Sequence, residues 1–392
     1  MNQLPKRLLS IDVLRAITML LMIFVNDASG VKHIPMWIDH ADGDADAMGF
    51  ADTIFPAFLF IVGLSLPFAI KNRMTKGDLF SSILIYILTR SAALIIMGFF
   101  HVNLESYNSA AGIIPKALWA ILITIAFFLI WLDYPTTMTK IRRYTFTGAG
   151  ILLLIAMAVI YKGGDDGGLV HGMHTSWWGI LGIIGWAYLV CALIYLLAKG
   201  KMNILVIALI VFVAINIAKH TDVINFKIPL LGDASALSLV MGGVMISGIY
   251  SLLVSKNKTQ LLWVIFGSIG LLLIALGLLV RPYAEGISKI HSTPAWIFIC
   301  SGITILVFEL MIFLIDVKGK KDWFKLIWPA GTSTLTCYLM PYFQVFILML
   351  FHIKYPEILN NGIIGLVRSM ATAFILIAIV GLMEKKRIRL KI

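Results

Sequence analysis

The side chains of this chain best suited to chemistry lie between residues 26 and 56. A short loop carries His33 and His40 with four aspartates, Asp39, Asp42, Asp44 and Asp46, and Asp52 follows His40 twelve positions later. Histidine changes charge near neutrality, so it can take up or release a proton where most side chains cannot. Neighbouring carboxylates raise its basicity and orient its ring, and Asn26 offers a neutral donor at similar depth. Two other chemistries fit less well. Asp42-x-Asp44-x-Asp46 begins like a calcium loop, but Ala47 stands where the turn glycine belongs and Thr53 where the bidentate glutamate belongs. His33 and His40 with an aspartate could hold a metal, yet their spacing matches no standard ligand set. No metal is expected, and the remaining aspartates read as a solvated loop.

That loop is bracketed by two apolar segments of membrane length. Hydrophobic residues make up 60% of the 392 positions and charged residues 13%, half the share usual in soluble proteins. A span needs about 20 apolar residues. Twelve such segments run roughly over 12–28, 52–70, 79–101, 112–132, 144–161, 177–198, 203–218, 234–254, 260–280, 294–316, 327–351 and 360–383. The expected fold is all-α: one polytopic membrane domain over residues 1–392, with about twelve transmembrane helices (eleven possible) and its most distinctive motifs within 10–70.

Lys and Arg concentrate in every second connection, from Lys6 and Arg7, through Lys71, Arg73 and Lys76, to the tail Lys385, Lys386, Arg387, Arg389 and Lys391. That bias places both termini in the cytoplasm. It also accounts for the net charge of +12, leaving nothing that calls for nucleic acid; membrane lipid is the partner implied. All eight histidines then fall at outer ends of spans or in outer loops. Cys191, Cys300 and Cys337 lie within spans, so no disulfide framework is expected. A homodimer is one assembly such a chain could adopt.

Ionisable residues inside spans mark working sites or pair with one another. Asp12 and Arg15, three apart on one helical face, read as a structural ion pair, and a cleavable signal peptide has no use for them. Arg90 lies near the middle of the third span, Glu309 at mid-depth in the tenth, and Arg368 in the outer half of the twelfth. Arg15, Arg90 and Arg368 could form an ascending basic lining for an anionic ligand. Pairing of Arg90 with Glu309 is the alternative.

Several strings together resemble a known family. Ser10-Ile11-Asp12-Val13-Leu14-Arg15, Met22-Ile23-Phe24-Val25-Asn26, His40-Ala41, Ala51-Asp52-Thr53-Ile54-Phe55-Pro56 and Phe58-Leu59-Phe60-Ile61-Val62-Gly63 occur in that order. The chain resembles the transmembrane acyltransferases typified by heparan-α-glucosaminide N-acetyltransferase, and within them the bacterial NagX-like (DUF5009-type) proteins associated with amino-sugar use. Weaker echoes run from Arg90 to Tyr338.

The resemblance implies transfer of acetyl from cytosolic acetyl-CoA, as donor substrate, to the amine of a glucosamine-type acceptor at the outer face of a bacterial inner membrane. His40 matches the family's essential histidine and Asn26 its nearby asparagine. The chain departs from the pattern at the acidic stretch after Ala41 and at Ser333, where the family has asparagine. An amine attacks a thioester only when unprotonated, so His40 would serve as base, Asn26 as oxyanion donor and Asp52 as the carboxylate orienting the ring. His40 could instead accept the acetyl group itself.

The hydrocarbon core is about 30 Å thick. The CoA arm, roughly 14 bonds, reaches on the order of 18 Å. A deep cytoplasmic vestibule is therefore required, and Arg15, Arg90 and Arg368 are its candidate CoA-binding residues. A secondary transporter for an amino sugar such as N-acetylglucosamine, or an O-acetyltransferase of an envelope glycan, is the alternative function.

Overall fold

The computed structural model describes residues 8–164, 168–224 and 232–392. Lys6 and Arg7, at the start of the charge pattern, lie outside them. Among the described residues the regular structure is helical, with only isolated bridges between extended residues. Among them, ten helices are long and apolar enough to cross a bilayer, or eleven if one bent pair is a single span. The chain is a multi-pass membrane protein.

Each of the twelve expected segments is helical: α1 (Leu9–Ala28), α2 (Ala51–Thr75), α3 (Phe80–Glu105), α4 (Lys116–Trp131), α5 (Lys140–Val159), α6 (Gly179–Leu197), α7 (Met202–His220), α8 (Ser235–Ser255), α9 (Leu261–Val280), α10 (Pro294–Met311), the pair α11 (Trp328–Thr332) and α12 (Thr334–Leu350), and α13 (Gly362–Lys385). Two fall short of an unbroken span. With 16 residues, α4 reaches only about 24 Å at 1.5 Å per residue. The eleventh segment breaks at Ser333, where its halves meet at 78°.

The break follows from packing. Gly331 lies so close to α1 that a Cβ there would sit 2.4 Å from the Asp12 carbonyl oxygen. The loss of helical continuity frees the Gly331 carbonyl, which accepts a hydrogen bond from Arg15 at 3.2 Å. The expected pair is present too, with Arg15 Nη1 3.1 Å from Asp12 Oδ1.

Loop contacts define two ends of the molecule. At one end Lys32 bridges to Asn361, Gly163 to His171, and Asp46 binds Arg281. At the other, Leu132 bridges to Leu390, and Arg389 and Lys391 pair with Asp133. Burial and these cationic partners act on Asp133 in opposite directions, and the partners win, holding its carboxyl below the usual range.

Candidate active site

The first turn of α2 organises the site. Backbone N–H groups are left unpaired at a helix start, and carboxylates are favoured there. Asp52, its side chain only 3% exposed, uses Oδ2 to accept from the backbone N–H groups of Gly49 (3.0 Å) and Ala41 (2.9 Å). The loop can close this tightly because residue 49 is glycine: a Cβ there would lie 1.8 Å from the Asp39 carbonyl oxygen. The other carboxylate oxygen, Oδ1, lies 2.6 Å from His40 Nδ1. The partner is a carboxylate, so Nδ1 is the donor; in the neutral ring that tautomer carries its lone pair on Nε2.

A third group completes the cluster. Lys289 Nζ is 3.0 Å from His40 Nδ1, 3.5 Å from Nε2 and 3.6 Å from Asp52 Oδ1. Asp52 Oδ1 accepts the hydrogen bond from Nδ1–H, so the Lys289 ammonium pairs with the carboxylate at 3.6 Å. Burial pushes the Lys289 amine below its ordinary value, and the Asp52 charge partly restores it.

Lys289 reaches this place because its loop is locked to the His40 loop. Arg281 Nε donates to both Asp46 carboxylate oxygens, at 2.8 and 3.0 Å, and its Nη2 to the Asp46 carbonyl at 3.1 Å. The Ile287 N–H donates to Asp46 Oδ1 at 2.6 Å, and the Ala47 N–H to the Ile287 carbonyl at 3.1 Å. The Ile287 hydrogen bond and the Arg281 charge outweigh burial and lower the Asp46 carboxyl. Asp46 is thus a clasp between loops, while its side chain stays half-exposed as a solvated acid would. Asp39 also has a local task, accepting the His40 backbone N–H at 2.8 Å.

His40, Asn26 and Lys289 line one cavity of about 290 Å³, walled by Trp177 and Trp296. The Trp177 indole donates to Glu105 at 3.0 Å, and the Trp296 indole to the Asp52 carbonyl at 3.1 Å. A second cavity, of about 380 Å³, holds Arg15 and Arg90 with Ser65, Tyr188 and Ser333. Arg15 also donates to Ser65 Oγ at 2.5 Å. Arg90 does not pair with Glu309: it donates to the Tyr86 hydroxyl at 3.1 Å and lies over the Tyr188 ring, while Glu309 lies beside Gly267 of α9. Among the described residues no group of three His, Cys, Asp or Glu could hold a metal ion.

The expected residues therefore separate into two sets: His40, Asn26 and Asp52 at one site, Arg15 and Arg90 at another. Arg368 joins neither. It forms an ion pair with Asp27, donates to the Leu359 carbonyl and to Asn360 Oδ1 (both 3.2 Å), and stacks on Tyr355. These contacts tie α13 to α1. The residue that sequence reasoning missed is Lys289. It stood among the few lysines on the histidine-rich side of the chain, against the general bias, and nothing local distinguished it from the others.

A protein family described as a domain of unknown function (DUF5009) matches residues 7–234, more than half of the chain. A stretch of 103 residues is 35% identical to human heparan-alpha-glucosaminide N-acetyltransferase, covering 26% of this chain and 15% of that protein. The matched part is thus a small fraction of the relative's length. Arg15, Asn26, His40, Asp52 and Arg90 lie within the family match; Lys289 lies beyond it.

Proposed function

The chain belongs to the DUF5009 family, and on that premise we propose that it is a transmembrane acetyltransferase carrying acetyl from acetyl-CoA to the amine of a glucosamine-type acceptor. The observation that supports this most is a histidine hydrogen-bonded to a buried carboxylate and lining the same cavity as an amide and a lysine. In this reading the CoA phosphates bind the Arg15 and Arg90 cavity, and the thioester reaches His40 from there. The acceptor amine attacks the thioester carbonyl, and His40 Nε2 takes the amine proton. The oxyanion receives donors from the Asn26 carboxamide and the Lys289 ammonium. When the C–S bond breaks, His40 returns the proton to the CoA sulfur. Asp52 holds the ring throughout.

The Nε2 lone pair serves equally if His40 itself first accepts the acetyl group. CoA released stoichiometrically with enzyme, before any acceptor is added, marks that covalent route. The central test incubates purified protein with radiolabelled acetyl-CoA and glucosamine. Labelled N-acetylglucosamine is expected. Vesicles that accumulate unmodified sugar, with the His40→Ala variant doing so equally, would instead identify a transporter.

The reading includes a bacterial inner membrane with both termini in the cytoplasm and the His40 end outside. Cysteine labelling tests it: Lys162→Cys should react from outside and Lys256→Cys should be protected.

A further inference from the structure

Three helices border both cavities. On α1, Arg15, Met19, Met22 and Asn26 share one face. Arg15 and Met19 line the cavity with Arg90, and Asn26 lines the cavity with His40. Eleven residues separate Arg15 from Asn26, about 16 Å along the axis, close to the reach of the CoA arm. α2 repeats the pattern, with Phe58 in one cavity and Phe55 in the other, and α6 does so with Leu181 and Ile180. Met22, 4% exposed, is the residue that lines both cavities among the described residues.

We propose that Met22 is the septum between the two cavities, and that its bulk determines which acyl chain passes from the arginine side to His40. The acyl-selection part rests on the acyltransferase reading; the septum does not. Methionine suits the task physically. Its unbranched side chain has three rotatable bonds, so it can fill a gap at rest and swing aside for a slender arm. A two-carbon acyl group needs the least displacement, and each added methylene must share the space that Met22 occupies.

Two measurements test this. The first needs no catalysis: Met22→Cys, with Cys191, Cys300 and Cys337 replaced by serine or alanine, is exposed in oriented vesicles to a membrane-impermeant thiol reagent from each side in turn. Labelling from both sides is expected, with CoA protecting against reagent on the arginine side. Labelling from one side alone, or from neither, overturns the septum. The second measures the ratio of butyryl to acetyl transfer. Met22→Ala should raise it at least tenfold, and Met22→Phe should lower acetyl turnover at least tenfold with CoA affinity retained. Unchanged ratios in a protein that transfers acetyl would overturn the selection role. If the Met22→Cys variant labels from both sides while the wild type transfers no acetyl to any acceptor, the septum stands, and the acyltransferase reading fails together with the selection role.

Discussion

The His40 cavity and the arginine cavity are built on opposite principles. Around His40, one ionisable group fixes the next: Asp52 is held by two backbone N–H groups, His40 by Asp52, Lys289 by both, and the two loops by Asp46. In the arginine cavity, Arg90 donates to the Tyr86 hydroxyl and lies over the Tyr188 ring. The first arrangement suits chemistry, which requires one geometry to be ready before substrate arrives. The second holds Arg15 on Asp12, Ser65 and the Gly331 carbonyl but gives Arg90 no carboxylate partner among the described residues. Arg368 shows the contrast within one residue type: similarly placed in the sequence, it is already committed to Asp27.

Substitutions can break that contrast or sharpen it. His40→Ala should cost the most, lowering turnover by about 10²–10⁴-fold with an unchanged elution profile, because the ring lines a cavity and is not part of the core; retained turnover would remove it from the mechanism. Asn26→Ala follows, with a loss of about 3 kcal/mol of transition-state stabilisation, roughly a hundredfold in kcat. Equal losses in CoA affinity would instead make Asn26 a binding residue.

Arg90→Ala should weaken CoA binding by about tenfold, given about 1.5–3 kcal/mol for hydrogen bonds to charged groups, while saturating CoA restores kcat. The paired experiment is Arg368→Ala. It should leave CoA affinity alone and lower the melting temperature, since breaking a buried pair costs about 3–5 kcal/mol. Thermal-shift titration separates the two, and identical behaviour would erase the distinction drawn here.

The smallest effect is expected at the loop clasp. The folded Asp46 carboxyl is lowered, so its contribution to stability is present above the ordinary carboxylate value of about 3.9 and disappears as pH falls through the lowered one. The melting difference between wild type and Asp46→Asn should therefore shrink on acidification; a difference that grows toward low pH contradicts the clasp.

Much of the architecture was legible because the bilayer imposes it. Apolar runs of fixed length must be helices, since backbone groups in lipid have no other partners, and all twelve expected segments are helical. The Asp12–Arg15 pair was legible from its i,i+3 spacing. The weak spots were the sixteen-residue α4 and the break at Ser333, because neither length at the margin nor the approach of Gly331 to α1 leaves a mark in composition. The role of Arg368 was misread for a related reason: its partner Asp27 lies 341 positions away.

The sequence by itself determined that this is a helical membrane protein, and it singled out His40, Asn26 and Asp52 through local motifs. Tertiary structure alone decided that Lys289, 249 residues from His40, stands beside that ring, that Arg368 pairs with Asp27, and that one methionine lines two cavities. Short-range order follows from residue period and hydrophobicity, which are written along the chain. Which charges meet depends on how helices cross and loops interlock, and those contacts have no local signature.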